Sequence, residues 1–124
     1  MNTLSIITNF VTIVGVLLAF YEYFKNRQAN TLDKLEELQL FLSEKEDGVN
    51  DYMHKIHYMN KLNRFASAVN NGIYSKIAVK CKASRLMTSQ YEDFIKEYIP
   101  KRREMYSNPD YYRNIEELIK TIEK

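Results

Sequence analysis

TNFVTIVGVLLAFYEYF, residues 8–24, reads either as a membrane-crossing helix or as the buried core helix of a small soluble protein. No charged side chain precedes Glu22. Residues 2–21 make about twenty uncharged positions, and a helix rising about 1.5 Å per residue then matches the roughly 30 Å hydrocarbon core of a bilayer. Tyr21, Tyr23 and Phe24 close the run, and Lys25 and Arg27 follow. A membrane–water interface favours that order, with aromatic rings at headgroup depth and cations just beyond. A cleavable signal peptide carries its bases before the apolar run and small residues after it. Here the bases come second. Ser5, Thr8, Asn9 and Thr12 dilute the run, and its densest part covers residues 10–20.

The expected architecture is all-α. Residues 1–27 form a single transmembrane anchor, and residues 28–124 form a small cytoplasmic bundle of about four to five helices. Lys25, Arg27 and Lys34 all follow the apolar run. The positive-inside rule then leaves a short N-terminus outside a bacterial inner membrane and the rest in the cytoplasm. Tyr21, Tyr23, Lys25 and Arg27 are the expected interfacial anchors.

The polar residues of the run are ordered. Ser5, Thr8, Thr12, Gly15, Ala19 and Glu22 follow one another at steps of 3, 4, 3, 4 and 3, with Asn9 beside them. In lipid, helices associate by close backbone approach and side-chain hydrogen bonds, and small residues allow both. This seam predicts packing against a second copy or against a partner's membrane helix. Ser and Thr bonding back to their own helix is the competing explanation.

Composition narrows the rest. Three Gly and two Pro in 124 residues argue against a β-sandwich or a disordered chain. Ten Tyr and six Phe supply a core without any Trp. The single cysteine, Cys81, excludes an internal disulfide and fits a reducing compartment. A half-buried structural role is expected for it.

The net charge of +2 hides a strong asymmetry. Residues 22–51 net −4, residues 52–91 net +7 with no acid, and residues 92–124 net −1. Lys76, Lys80, Lys82 and Arg85 concentrate the basic block and are the candidate contacts for anions or lipid headgroups. Charge cancellation against the acidic segment 31–47 is the simpler expectation.

Helical spacing recurs along the domain. Leu32, Leu35 and Leu38, with Phe41 or Leu42, form one stripe that Asn30 or Thr31 can cap or that can run on directly from the membrane helix, and that breaks at Gly48. Val49, Tyr52, Ile56, Met59, Leu62 or Asn63, Ala66 and Val69 form the next, stopped by Asn71-Gly72. Tyr74, Ile77 and Cys81 are expected to share an inward face. A new helix is expected to begin at Thr88 or Ser89, to turn Tyr91, Phe94, Ile95, Tyr98, Ile99, Met105 and Tyr106 inward, and to kink or break at Pro100. Residues 108–110 read as a turn, and Ile115, Leu118, Ile119 and Ile122 as a final amphipathic stripe.

No catalytic constellation stands out, so neither an enzyme nor a cofactor is expected. His54 and His57 share a helix face, but zinc wants three or four ligands, and two partly exposed histidines are the expectation. The pairs Glu36, Glu37 and Glu116, Glu117 sit on polar faces by pattern. Residues 100–104, PKRRE, read as a solvated or ion-paired cluster.

LNRFASAVNNGIYS, YEDFIKEYIPKRRE and NPDYYRNIEEL together resemble a bacterial family of small membrane proteins described as domain of unknown function 4760. The matching positions are Leu62, Phe65, Ala68 and Gly72, then Phe94, Ile99 and Arg103, then Asn108, Pro109, Tyr112, Glu116 and Leu118. Ala66 departs from an acid associated with that place. The resemblance implies a membrane anchor and a helical cytoplasmic domain, and no reaction.

The functional expectation is a membrane-anchored helical interaction protein that oligomerises or docks a partner. That design suits an accessory subunit or a membrane effector of a phage-defence or toxin system. The alternative is a soluble nucleic-acid or nucleotide-binding helical module, with residues 4–24 as its core helix and residues 52–91 as its binding face.

Overall fold

A computed structural model describes residues 3–123. Met1, Asn2 and Lys124 lie outside the described residues, and with them the start of the uncharged run and the tip of the predicted external N-terminus. Five α-helices and one π turn follow in order. They are α1 (Thr3–Ser43), α2 (Asp51–Asn70), α3 (Lys76–Gln90), the π turn (Tyr91–Ile95), α4 (Lys96–Tyr106) and α5 (Arg113–Glu123).

Helix α1 runs without a break through residue 27, where anchor and domain were expected to meet. Its 41 residues extend about 60 Å at the usual helical rise. Residues 3–26 are exposed throughout, and burial begins at Arg27 and Thr31. The expected cap at Asn30 or Thr31 is therefore absent. Both sit in mid-helix, because no Gly or Pro interrupts residues 16–47. Glycine at 48 adopts φ +74°, in the loop that ends this run.

The second half of α1 packs on α2 and α3 through Leu35 and Leu38, with Leu32, Phe41 and Leu42 at the rim. Helix α2 is central. Asn50 caps its first turn by accepting from the Met53 amide, and Ile56, Tyr58, Met59, Leu62, Phe65, Ala66 and Val69 are buried along it. Each fully buried apolar side chain of that size stabilises the fold by about 1.5–3 kcal/mol. At its end Gly72 takes φ +82°, and the Ile73 amide reaches back to the Ala68 carbonyl at 2.8 Å. Helix α5 lies on α2 and α3 with Ile115, Leu118, Ile119 and Ile122 inward, as its periodicity predicts.

Helix α3 differs from expectation. Its buried stripe is Val79, Ala83 and Met87, joined by Ala78. Ile77 is 68% exposed and Cys81 is exposed, not half-buried. Apolar residues occur on several sides of this helix, so spacing alone did not select a face. The packing of α3 against α1 and α5 selected the stripe that holds the small Ala78 and Ala83.

No cap forms at Thr88 or Ser89, because the chain stays helical from Lys76 to Tyr106. The Lys96 amide bonds to the Tyr91 carbonyl, five residues back, and this widened turn brings both Phe94 and Ile95 into the core. Pro100 lies inside α4 and does not end it. Its ring and missing donor face the carbonyl of Lys96, the residue that directly follows the widened turn. Met105 and Tyr106 point outward, not inward. Arg102, in the cluster read as solvated or ion-paired, is buried, with its guanidinium 4.8 Å above the Tyr106 ring.

Candidate functional site

The apolar half of α1 carries Leu4, Ile7, Phe10, Val11, Leu17, Leu18 and Phe20 in the open, and none of its apolar window is buried in the fold. This is the one helix among the described residues long and apolar enough to cross a membrane. Monomeric soluble proteins rarely expose apolar patches above a few hundred Å². A core helix would be covered, and residues 3–26 of this one are exposed throughout.

Along the predicted seam, the Thr8 hydroxyl donates to the Leu4 carbonyl at 2.9 Å and the Thr12 hydroxyl to the Thr8 carbonyl at 3.0 Å. Those donors are satisfied within their own helix. Hydroxyl lone pairs and close backbone approach remain available to a second helix. A Cβ on Gly15 would meet nothing within 4 Å. At 100° per residue, Ser5, Thr8, Thr12, Gly15, Ala19 and Glu22 lie about 135° around α1 from the Thr31, Leu35 and Leu38 stripe that holds the domain. A second helix can reach the seam without displacing α2 or α3.

Tyr21, Tyr23 and Lys25 are exposed at the end of the apolar half, where the sequence placed them. Arg27 behaves differently. It is partly buried, and its guanidinium donates to the Tyr74 carbonyl at 3.1 Å. Its Nε is enclosed without a partner. One turn later, Thr31 is 0% exposed. Its hydroxyl donates to the Arg27 carbonyl at 2.7 Å and accepts from the Ser75 amide at 2.8 Å. Ser75 in turn caps α3 by accepting from the Ala78 amide. Arg27 and Thr31 therefore tie the junction of α2 and α3 to α1 where its exposed half ends.

Thr31→Val keeps the shape but removes the acceptor for the Ser75 amide. Leaving a buried donor unpaired costs about 1–3 kcal/mol. Urea unfolding of the full chain in detergent should show that loss, and Thr31→Ser should recover most of it. An unchanged Thr31→Val midpoint would contradict the pin.

The basic block is divided. Lys76, Lys80, Lys82 and Arg85 are all exposed on α3. Only Lys76 adjoins Arg27, across a cleft of about 630 Å³ that Phe24, Gln28, Ser75 and Ile77 also line. Arg85 lies about 13 Å farther along α3 at the helical rise, beside Ser84, Thr88, Ser89 and Ile122. Elsewhere in the block, Lys55 pairs with Asp51 and lies over the Phe94 ring, and Lys61 lies over Phe41. Among the described residues, no ion pair joins Lys76, Lys82 or Arg85 to the acids of segment 31–47.

His54 is 2% exposed, not solvent-facing. Its ring stacks on Phe41 at 4.9 Å. Nε2 lies 3.2 Å from the Leu42 carbonyl, which only accepts, so Nε2 carries the proton, and Nδ1 accepts from the Glu46 amide at 3.4 Å. His57 Nδ1 sits 3.1 Å from the Glu46 carboxylate. The pair closes the turn between α1 and α2. Among the described residues, no group of three or more His, Cys, Asp or Glu is placed to hold a metal.

Two polar contacts inside the bundle escaped sequence reading. The Tyr58 hydroxyl accepts from Gln39 at 2.9 Å and donates to Gln90 at 2.5 Å. Gln90 also donates to Gln39 at 2.6 Å, closing a triangle across α1, α2 and α3. The Tyr112 hydroxyl donates to Asn60 at 2.7 Å. Burial pushes both phenols from the ordinary 10.0 up to about 12.

The motif residues quoted for the resemblance do structural work. Leu62, Phe65, Phe94, Ile99, Tyr112 and Leu118 are buried. Arg103 donates to the Tyr111 carbonyl at 2.9 Å and pairs with Glu116, clamping α4 to α5. Ala66 is 0% exposed, so an acid there would enter the core and require a partner.

No curated protein and no solved structure matches the chain. The family profile described as Domain of unknown function (DUF4760) matches residues 21–122, beginning at the aromatic end of the apolar run and covering the whole bundle. The chain therefore belongs to the DUF4760 family.

Proposed function

We propose that the protein is a single-pass membrane-anchored interaction protein. Residues 3–24 cross the bilayer, α2–α5 form a cytoplasmic domain, and the seam on α1 pairs the chain with a second copy. The observation that carries this reading is the wholly exposed apolar half of α1, joined without a break to a half that is packed into the bundle. A continuous helix passes any rotation or tilt in the membrane directly to the domain. The soluble alternative requires residues 4–24 as a core helix, and those residues are uncovered.

Self-association is supported by the small-residue seam lying on a side of α1 that the domain leaves open. Gly15→Ile should abolish cross-linked dimers in membranes. Because a Cβ at Gly15 meets no neighbour, the thermal midpoint of the domain should stay unchanged. Undiminished cross-linking of Gly15→Ile would remove the seam from the proposal.

A further inference from the structure

We propose that the junction of α2 and α3 is a second bilayer contact. Ile73 and Ile77 enter the interface, and the cleft between Arg27 and Lys76 holds the phosphate of an anionic phospholipid. This inference rests on α1 spanning the membrane as proposed above.

Depth is the first support. Residues 4–23 fill about 30 Å, the thickness of the hydrocarbon core. The headgroup layer adds about 5 to 7 Å on each side. Arg27 and Gln28 stand about 6 and 7.5 Å beyond Tyr23 along α1, at the outer edge of that layer. The junction is held at this level by the Arg27 to Tyr74 and Ser75 to Thr31 hydrogen bonds.

Side-chain character is the second. Ile73 and Ile77 are 67% and 68% exposed, the most exposed large apolar side chains among the described residues outside the apolar half of α1. They lie on either side of Arg27. Ile73 adjoins Tyr23 and Asn26, and Ile77 adjoins Phe24 and Gln28. Both therefore continue the aromatic belt laterally from α1 onto the domain. In water that exposure is unfavourable, and at an interface it is covered.

Charge is the third. Arg27 and Lys76 both line the cleft, and none of its lining residues is acidic. Ser75 occupies the Ala78 and Val79 amides, which leaves the first-turn amides of Lys76 and Ile77 without an intrahelical acceptor. Cations and free amides at a helix start suit a phosphate oxygen. At this depth the abundant phosphates belong to lipids.

The chain contains no Trp, so a single introduced Trp reports alone. Full-length Ile73→Trp and Ile77→Trp would be reconstituted into vesicles of phosphatidylcholine and phosphatidylglycerol, with one or the other lipid brominated near its headgroup. Leu17→Trp serves as the membrane reference and Leu40→Trp as the solvent reference. The expected result is blue-shifted emission at positions 73 and 77, and quenching that is stronger with brominated phosphatidylglycerol. Lys76→Glu should lower that lipid preference about five-fold or more, and added inorganic phosphate should leave it unchanged.

Emission at 73 and 77 like that of Leu40→Trp, with Leu17→Trp still quenched, overturns the second contact and leaves the anchor standing. Loss of quenching at Leu17→Trp as well overturns both. Equal quenching by the two lipids, or release by inorganic phosphate, overturns the assignment of the cleft to an anionic phospholipid.

Discussion

Val14→Arg combined with Leu17→Arg should move the protein from the membrane pellet into the supernatant on alkaline carbonate extraction, while the unaltered chain stays in the pellet. Both positions are exposed in the apolar half of α1, so the substitutions leave the packed bundle alone. An Arg near the centre of a membrane helix costs about 2.5–3.5 kcal/mol on insertion. Two cost about 5–7 kcal/mol, a shift of roughly four to five powers of ten in the insertion equilibrium. Leu40→Arg, exposed at the packed end of α1, should remain in the pellet. An unaltered chain found in the supernatant would end the anchor proposal, and the second bilayer contact with it.

Raising the pH from about 8 to about 12 should cost the bundle about 5 kcal/mol of stability, most of it through Tyr58 and Tyr112. Both phenols are raised by burial from 10.0 to about 12. The folded state therefore keeps these protons after the unfolded chain has lost them. Stability from each is complete below pH 10 and is lost as the pH climbs towards 12, at about 1.4 kcal/mol per unit. Tyr58→Phe should start lower by about 1 kcal/mol, because Gln39 and Gln90 lose a partner, and should then show about half the alkaline loss. Urea midpoints of the full chain in detergent measure both effects. An identical pH profile for Tyr58→Phe would refute the assignment to Tyr58.

The two predictions reinforce each other. Alkaline carbonate falls in the pH range where the bundle weakens, whereas residues 3–20 carry no ionisable side chain. Retention in the pellet then reports the helix and not a folded-domain contact.

Several features were legible without coordinates because they depend on near neighbours in the chain. Ile115, Leu118, Ile119 and Ile122 repeat at helical spacing, and all four are buried. Gly72 marks a helix end because its φ of +82° suits a residue without a Cβ. The apolar run and its aromatic-then-basic ending needed only composition and order. The resemblance was also readable locally, since Arg103, Tyr112 and Glu116 fall in two short motifs, although what they hold together was not.

Other features turned on contacts between distant residues. Helix α3 carries apolar side chains on several sides, and the approach of α5 and α1 made Val79 and Ala83 internal while leaving Ile77 outside. His54 looked solvent-facing until the end of α1 placed Phe41 and the Leu42 carbonyl against its ring. Pro100 looked like a break, yet α4, which directly follows the π turn, runs through it. Sequence order by itself determined that this chain is helical, that its first twenty or so residues are apolar enough to span a bilayer, and that turns fall at Gly48, Asn71-Gly72 and residues 108–110, because periodicity, hydropathy and turn chemistry act over a few residues. The tertiary structure alone decided that Arg27 and Thr31 grip residues 74–75, and that Lys76 and the two exposed isoleucines stand beside the aromatic belt. Those partners are more than forty residues apart, and only the packing of α2 and α3 on α1 brings them together.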